Sequence, residues 1–172
     1  MLYYFTQPFL KQSTKTVHKI TNDRQEVIGG IQRYYKTSLQ RCVDFFLDGF
    51  FLNFKVYDED GNIKVEAIDR LTFLKDSWSI IEDGNHHLLK CATKIKTHPR
   101  YIFSYGGNEF IIQKNFMDKY IRIKDVSTDK VVSEYKYLTL VPPRKAAIHI
   151  IEPTLSIYVT ICLCLILSTK YD

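Results

Sequence analysis

The segment PTLSIYVTICLCLILST, residues 153–169, contains no charged side chain and is predicted to form one helix. Proline suits a first helical turn, because the backbone N–H that it lacks would have no partner there. We therefore expect a C-terminal hydrophobic helix that begins at Pro153 and runs through Leu167. Nearly every position over 155–167 is apolar, so this helix has no polar face and must be covered on all sides.

Either protein or lipid can cover such a helix. At about 1.5 Å per residue, residues 154–169 span roughly 24 Å, which is shorter than the roughly 30 Å hydrocarbon core of a bilayer. Glu152 and Lys170 prevent a longer apolar span. The length favours a covering of protein, and a tail-anchored membrane protein with 154–169 as its membrane segment is the alternative.

The composition predicts a β-rich chain. Its 172 residues suit one compact domain over 1–172, and the aromatic content of 14%, with 12 Tyr and 11 Phe, favours strands. The four cysteines have the spacing of free thiols and no secretory signal begins the chain, so we expect a cytoplasmic protein. The net charge of +5 is compatible with an anionic partner, including peripheral attachment at the inner membrane surface.

Turn signals separate a series of strand-like segments, which includes the phenylalanine-rich region from Cys42 to Tyr57. DEDGN at 58–62 lies between two such runs, EDGN at 82–85 lies between two more, and GGN at 106–108 separates a third pair. No long helical interval interrupts the series, so the strands should form an antiparallel meander. About ten to twelve strands before a single apolar helix predict a sheet that curls around the helix and closes on itself.

These motifs occur in a recognisable order: VYDEDGNI at 56–63, WSIIEDGN at 78–85, and a strand followed by the apolar helix over 146–167. In this respect the chain resembles the tubby C-terminal-like superfamily, which includes the plant LURP-one-related proteins, phospholipid scramblases and small bacterial relatives. The resemblance implies a mainly β fold, a closed antiparallel barrel of about twelve strands around the C-terminal hydrophobic helix. It also implies phosphoinositide binding through basic residues on the barrel exterior, but it maps that site onto no particular residue here.

The densest basic stretch is KCATKIKTHPR at 90–100. If it is a strand, its period of two places Lys90, Lys94 and Lys96 on one face, with Arg100 in the following loop. Four such cations can bind a phosphorylated headgroup through charge-assisted hydrogen bonds. The plainer interpretation is that these side chains are only a solvated outer face of the barrel, where lysines prevent pairing with other strands. A second basic group with the same two interpretations comprises Lys114, Lys119, Arg122 and Lys124.

Other reactive side chains are expected to have structural roles. His86 and His87 are adjacent in a strand-like segment and should point to opposite faces, which does not suit a shared metal ion. Cys162 and Cys164 lie in the apolar helix, where burial should raise their pKa values. The acidic run at 58–60 lacks the remaining ligands of a calcium loop and is interpreted as turn chemistry.

The sequence therefore predicts a non-enzymatic binding or scaffold module without a cofactor or metal. It contains no nucleophile elbow, phosphate-binding glycine loop or metalloprotease helix, and no zinc-finger or RNA-recognition signature that would indicate nucleic acid. The expected partner is an anionic phospholipid surface or another protein. An interaction or regulatory protein without lipid affinity, and an enzyme that uses the barrel surface, are alternatives.

Overall fold

The computed structural model describes residues 1–6, 16–47, 50–70, 76–94, 98–139 and 144–171. In chain order, the elements formed by these residues are β1 (Leu2–Thr6), β2 (His18–Asn22), β3 (Val27–Tyr34), α1 (Ser38–Phe46), β4 (Asn53–Asp58), β5 (Ile63–Asp69), β6 (Ser77–Glu82), β7 (Asn85–Cys91), β8 (Arg100–Tyr105), β9 (Asn108–Lys114), β10 (Tyr120–Asp125), β11 (Val131–Tyr137), β12 (Lys145–Ile150) and α2 (Ile157–Lys170).

The strands form one closed antiparallel barrel. Each strand pairs with the strands that precede and follow it in the chain, and β1 closes the circle by pairing with β12, where Tyr3 lies opposite Ile148. Closure removes exposed strand edges, which would otherwise be able to pair with other chains. The predicted closed barrel of about twelve strands is confirmed.

Local turn chemistry connects the predicted hairpins. In the β4–β5 turn, Asp58 Oδ1 accepts a hydrogen bond from the backbone N–H of Asn62 at 2.8 Å, and Gly61 has φ +83°. Asp83 and Gly84 both have positive φ between β6 and β7. That combination is typical of type I′ hairpin turns, whose twist matches that of the flanking strands.

Helix α2 lies in the barrel core. Every residue from 159 to 169 is buried, and the helix packs against β4, β5 and β10. The inward side chains of the strands, including Trp78, Tyr101 and Phe103, form one hydrophobic cluster with those of the helix. The covering is therefore protein, and no helix among the described residues has both the length and the apolarity to cross a membrane.

The start of α2 differs from the sequence prediction. Pro153 is exposed and lies before the helix, which begins at Ile157. Ser156 is the N-cap, and its Oγ accepts a hydrogen bond from Val159 N at 3.2 Å while donating one to Glu82. A serine side chain satisfies an N-terminal amide directly, whereas proline only avoids adding an unpaired one, so the cap determines the start.

A second helix corrects the expectation of a single one. The phenylalanine-rich region that begins at Cys42 was predicted to be strand-like, but Cys42 lies in α1 and the strand β4 begins only at Asn53. Thr37 caps α1, since its side chain accepts a hydrogen bond from Gln40 N at 3.2 Å. Phenylalanine favours strands only where its ring packs on a sheet, and here the cap starts a helix outside the barrel.

Shortening a side chain on α2 should destabilise the protein strongly. Leu163 is 0% exposed, so Leu163→Ala should leave a cavity and lower the free energy of unfolding by about 2 to 5 kcal/mol. Leu39→Ala on α1 is the matched control, because Leu39 is 73% exposed and the same change there should cost less than about 0.5 kcal/mol. Urea denaturation of both variants measures the difference. Equal stabilities would contradict the central position of α2.

Candidate functional site

The two ends of the barrel are built from different connections. Because successive strands are antiparallel, the connections alternate between the ends. The β1–β2, β3–β4, β5–β6, β7–β8, β9–β10 and β11–β12 connections lie at one end, together with α1 and the last turn of α2. The remaining connections lie at the other end, where α2 begins.

The connections at the two ends carry opposite net charge. At the end that carries α1, the described connections contain the basic residues Lys36, Arg41, Arg70, Lys94, Lys119 and Arg144. Their acidic residues are Asp44, Asp76 and Asp118, and each is ion-paired, to Arg33 at 2.9 Å, to Lys170 at 3.2 Å and to Arg122, respectively. We call this the basic end.

The opposite end has the reverse balance. Its connections contain the basic residues Arg24 and Lys130. They contain the acidic residues Asp23, Glu26, Glu59, Asp60, Asp83, Asp129 and Glu152. We call this the acidic end, and the barrel therefore has a charge dipole along its axis.

The predicted basic patch lies at the basic end, but its geometry differs from the prediction. Strand β7 ends at Cys91, so Lys94 follows the strand and does not share a strand face with Lys90. Arg100 is the first residue of β8 and not a loop residue, and its carbonyl accepts a hydrogen bond from Ala92 N at 2.8 Å. Lys90, Lys94 and Arg100 are all exposed at this corner, and Lys96 lies outside the described residues.

The second predicted basic group is not one surface. Arg122 pairs with Asp118 and, at 2.9 Å, with Glu134, which neutralises its charge. Lys124 lies 3.5 Å from Asp129, toward the acidic end. Lys114 and Lys119 remain at the basic end, in and beside the β9–β10 connection.

Helix α1 presents an apolar face that sequence reasoning missed. Leu39, Cys42, Val43 and Phe46 follow the i, i+3, i+4, i+7 spacing of an amphipathic helix. Such a face usually packs on the core, but here Leu39 is 73% and Phe46 81% exposed. This helical spacing could have predicted α1 from the sequence. It was overlooked because phenylalanines are also typical of a strand.

The buried face of α1 is polar. Asp44 Oδ2 accepts hydrogen bonds from Arg33 Nη2 at 2.9 Å and from the Tyr35 hydroxyl at 2.5 Å, and Asp44 Oδ1 accepts one from Phe51 N at 3.0 Å. The Gln40 side chain accepts another from Asn53 Nδ2 at 3.1 Å. Burial, followed by the hydrogen bond to Asp44, raises the pKa of Tyr35 to about 12, so this hydroxyl remains a donor.

Two clefts open on the surface of the barrel. One, of about 550 Å³, lies beside α1 and is lined by Tyr35, Arg41, Cys42, Phe45 and Phe46. The other, of about 690 Å³, runs over β1 and β2, and its charged lining residues are Lys19, Lys145 and Asp23. The first combines a cation with aromatic rings, whereas the second mixes both charge signs.

The histidine and cysteine residues do not converge. His86 is exposed, whereas the His87 ring packs at a tilt against that of Tyr105 with ring centroids 4.7 Å apart, as predicted for opposite faces of β7. Burial raises the pKa values of both Cys162 and Cys164 in α2, which confirms the expected direction. Within the described ranges, no group of three or more His, Cys, Asp or Glu side chains is placed to hold a metal ion.

One carboxylate near the basic end has an unusual pKa. Burial raises the pKa of Asp69, at the end of β5, to about 6, although its Oδ2 accepts a hydrogen bond from Leu52 N at 3.1 Å. An acid whose pKa is higher in the folded state binds its proton more tightly when folded. Its contribution to stability is therefore complete below about pH 4 and is lost as the pH rises to about 6.

Replacing Asp69 should remove this pH dependence. Relative to Asp69→Asn, the parent should lose about 2 kcal/mol of unfolding free energy between about pH 4 and pH 7, after allowance for solvent screening. Denaturation with urea at several pH values measures the difference. Asp60→Asn, at an exposed turn of the acidic end, is the control and should follow the parent. Parallel pH curves for the parent and Asp69→Asn would contradict the assignment.

Comparison with known proteins agrees with the architecture. The family model for the Tubby C-terminal like domain matches residues 3–171, nearly the whole chain. Searches of the curated proteins and of the solved structures gave no significant match. The matched region extends from the first strand of the barrel to the residue after the central helix, and the chain belongs to the Tubby C-terminal like domain family.

Proposed function

We propose that this protein is a non-enzymatic binding module that recognises the anionic surface of a phospholipid membrane through the basic end of its barrel. The observation that carries the proposal is the separation of charge between the two ends. The acidic residues of the described connections at the basic end are all ion-paired within the protein, so the field outside that end is dominated by cations.

The corner formed by β7 and β8 supplies the most direct contacts in this proposal. Lys90, Lys94 and Arg100 are exposed, and an arginine can form two parallel hydrogen bonds to a phosphate. A cation near an anionic leaflet contributes about 1 kcal/mol to binding. Three of them therefore account for on the order of a hundredfold in affinity.

Family membership supports a binding or scaffold role in general terms. The sequence supports a non-enzymatic one, since it contains no recognised catalytic motif. In this proposal the protein is cytoplasmic and attaches peripherally to the inner membrane surface, whose anionic lipids attract the basic end. The barrel then serves as a rigid support whose orientation is set by its charge dipole.

Reversing the charges of the corner should abolish attachment. Lys90→Glu/Lys94→Glu/Arg100→Glu should weaken binding to vesicles of phosphatidylserine and phosphatidylcholine by on the order of a hundredfold or more, because it replaces attraction with repulsion. Co-sedimentation measures the bound fraction. Binding by the parent should also fall steeply with added salt.

A variant at the acidic end controls for net charge. Arg24→Glu/Lys64→Glu/Lys130→Glu changes the total charge by the same amount, at and beside the connections of that end. It should bind almost as well as the parent. Equal losses in the two triple variants would mean that net charge alone governs attachment, and a parent that binds no anionic vesicle would overturn the proposal.

A further inference from the structure

We propose that α1 is a membrane-inserting element, which places its exposed apolar face among the acyl chains while the basic end holds the headgroups. This inference rests on the proposed function and adds a hydrophobic contribution to it. The occupant of the apolar face is the outer part of an anionic bilayer.

The exposed face is large for a short helix. Besides Leu39 and Phe46, it includes Phe45, which is 72% exposed and whose ring packs edge-to-face against that of Phe46 at 5.4 Å. Leu47 and Phe50 continue the exposed apolar surface beyond the helix. Contiguous apolar surface of this kind marks an interaction site in a soluble protein.

The polar contacts beneath α1 hold this face outward. Arg33 and Asp44 have side chains that are 3% and 0% exposed, and removing either partner would leave a buried charge uncompensated. Rotating α1 to bury Leu39 and Phe46 would expose Asp44 and break its contacts to Arg33, Tyr35 and Phe51. The buried polar contacts of Asp44 therefore hold the apolar face toward the outside.

Neighbouring connections carry the same combination of residues. Phe116 and Met117, in the β9–β10 connection, are 62% and 87% exposed, and Leu138 in the β11–β12 connection is also exposed. All of these connections lie at the basic end, so a surface that approaches along the barrel axis meets them together. Exposed cations lie at the same end, among them Arg41 within α1 and Lys119 in the β9–β10 connection.

This arrangement favours a bilayer over a protein partner. Elements that lie in a membrane interface combine Phe and Leu on the buried face with Lys and Arg that reach the headgroups. The cleft beside α1 has that composition, with Arg41 at its wall and Phe45, Phe46 and Cys42 around it. A second copy docked by its acidic end offers a less suitable surface, because the exposed apolar residues described there, such as Ile63 and Ile151, include no aromatic ring. Two copies that met through their basic ends would bring like charges together.

A tryptophan reporter tests the insertion directly. The only tryptophan of the chain, Trp78, is 0% exposed in the barrel core and should respond little to lipid. Phe46→Trp, mixed with vesicles of brominated phosphatidylcholine and phosphatidylserine, should show blue-shifted and quenched emission. Ile63→Trp, at the acidic end, is the control and should show neither change while the protein is bound.

Removing the apolar side chains tests their contribution to affinity. Phe45→Ser/Phe46→Ser should weaken vesicle binding by on the order of tenfold or more, and the remaining binding should be lost at high salt. Ile63→Ser/Ile151→Ser, which also removes two exposed apolar side chains, should leave binding unchanged. Circular dichroism confirms that each variant is folded.

The outcomes separate this inference from the proposed function. If the parent binds anionic vesicles but the emission of the Phe46→Trp variant is unchanged, and the double serine variant binds as the parent does, insertion is wrong and electrostatic attachment stands. If the parent binds no vesicles, both are wrong. A parent that is dimeric without lipid, together with a monomeric Phe45→Ser/Phe46→Ser variant, would assign the face to a second copy and overturn the inference.

Discussion

A helix without a polar face must be covered on every side, and this requirement shapes the whole molecule. The side chains of α2 are apolar around its full circumference, and a single sheet can surround them only by closing on itself. Two of the largest aromatic side chains in this core place their polar atoms against partners. Trp78 donates from Nε1 to the Leu52 carbonyl at 2.9 Å, and the Tyr101 and Tyr171 hydroxyls lie 3.0 Å apart. The helix and the barrel therefore stabilise each other, because the side chains of α2 and the inward side chains of the strands are buried only against one another.

Closure around α2 also determines what lies outside. Because the helix fills the interior, α1 has no core position available and lies at the rim between β3 and β4. The antiparallel meander assigns each connection to one end by its order in the chain. Charges that are scattered through the sequence are thereby gathered into two opposed ends, and a surface with one sign of charge arises from connections that are distant in sequence.

The parts of this structure that depend on local chemistry were accessible from the sequence. Asp58 and Gly61 specify their turn within a few residues, and the apolar helix together with the number of strands was sufficient to predict a closed barrel. Where two local signals competed, prediction failed: Ser156 rather than Pro153 starts α2, and the phenylalanines around α1 concealed its helical spacing. The basic stretch was predicted to continue as a strand beyond Cys91, but in the structure β7 ends at that residue. The separation of charge between the ends could not be derived without the strand order, because it depends on which connections share an end.

The orientation of α1 is hard to explain by folding stability alone. Replacing a buried ion pair with packed apolar side chains is often neutral or stabilising, so the buried pair beneath α1 is weak evidence for a gain in stability. The sequence instead buries Asp44 against Arg33 and leaves Phe46 in contact with water. Apolar surface that is not buried on folding remains available for binding, where its removal from water contributes about 25 cal/mol per Å². An apolar environment outside the protein accounts for this orientation, since the same side chains cannot stabilise the fold and drive attachment at once.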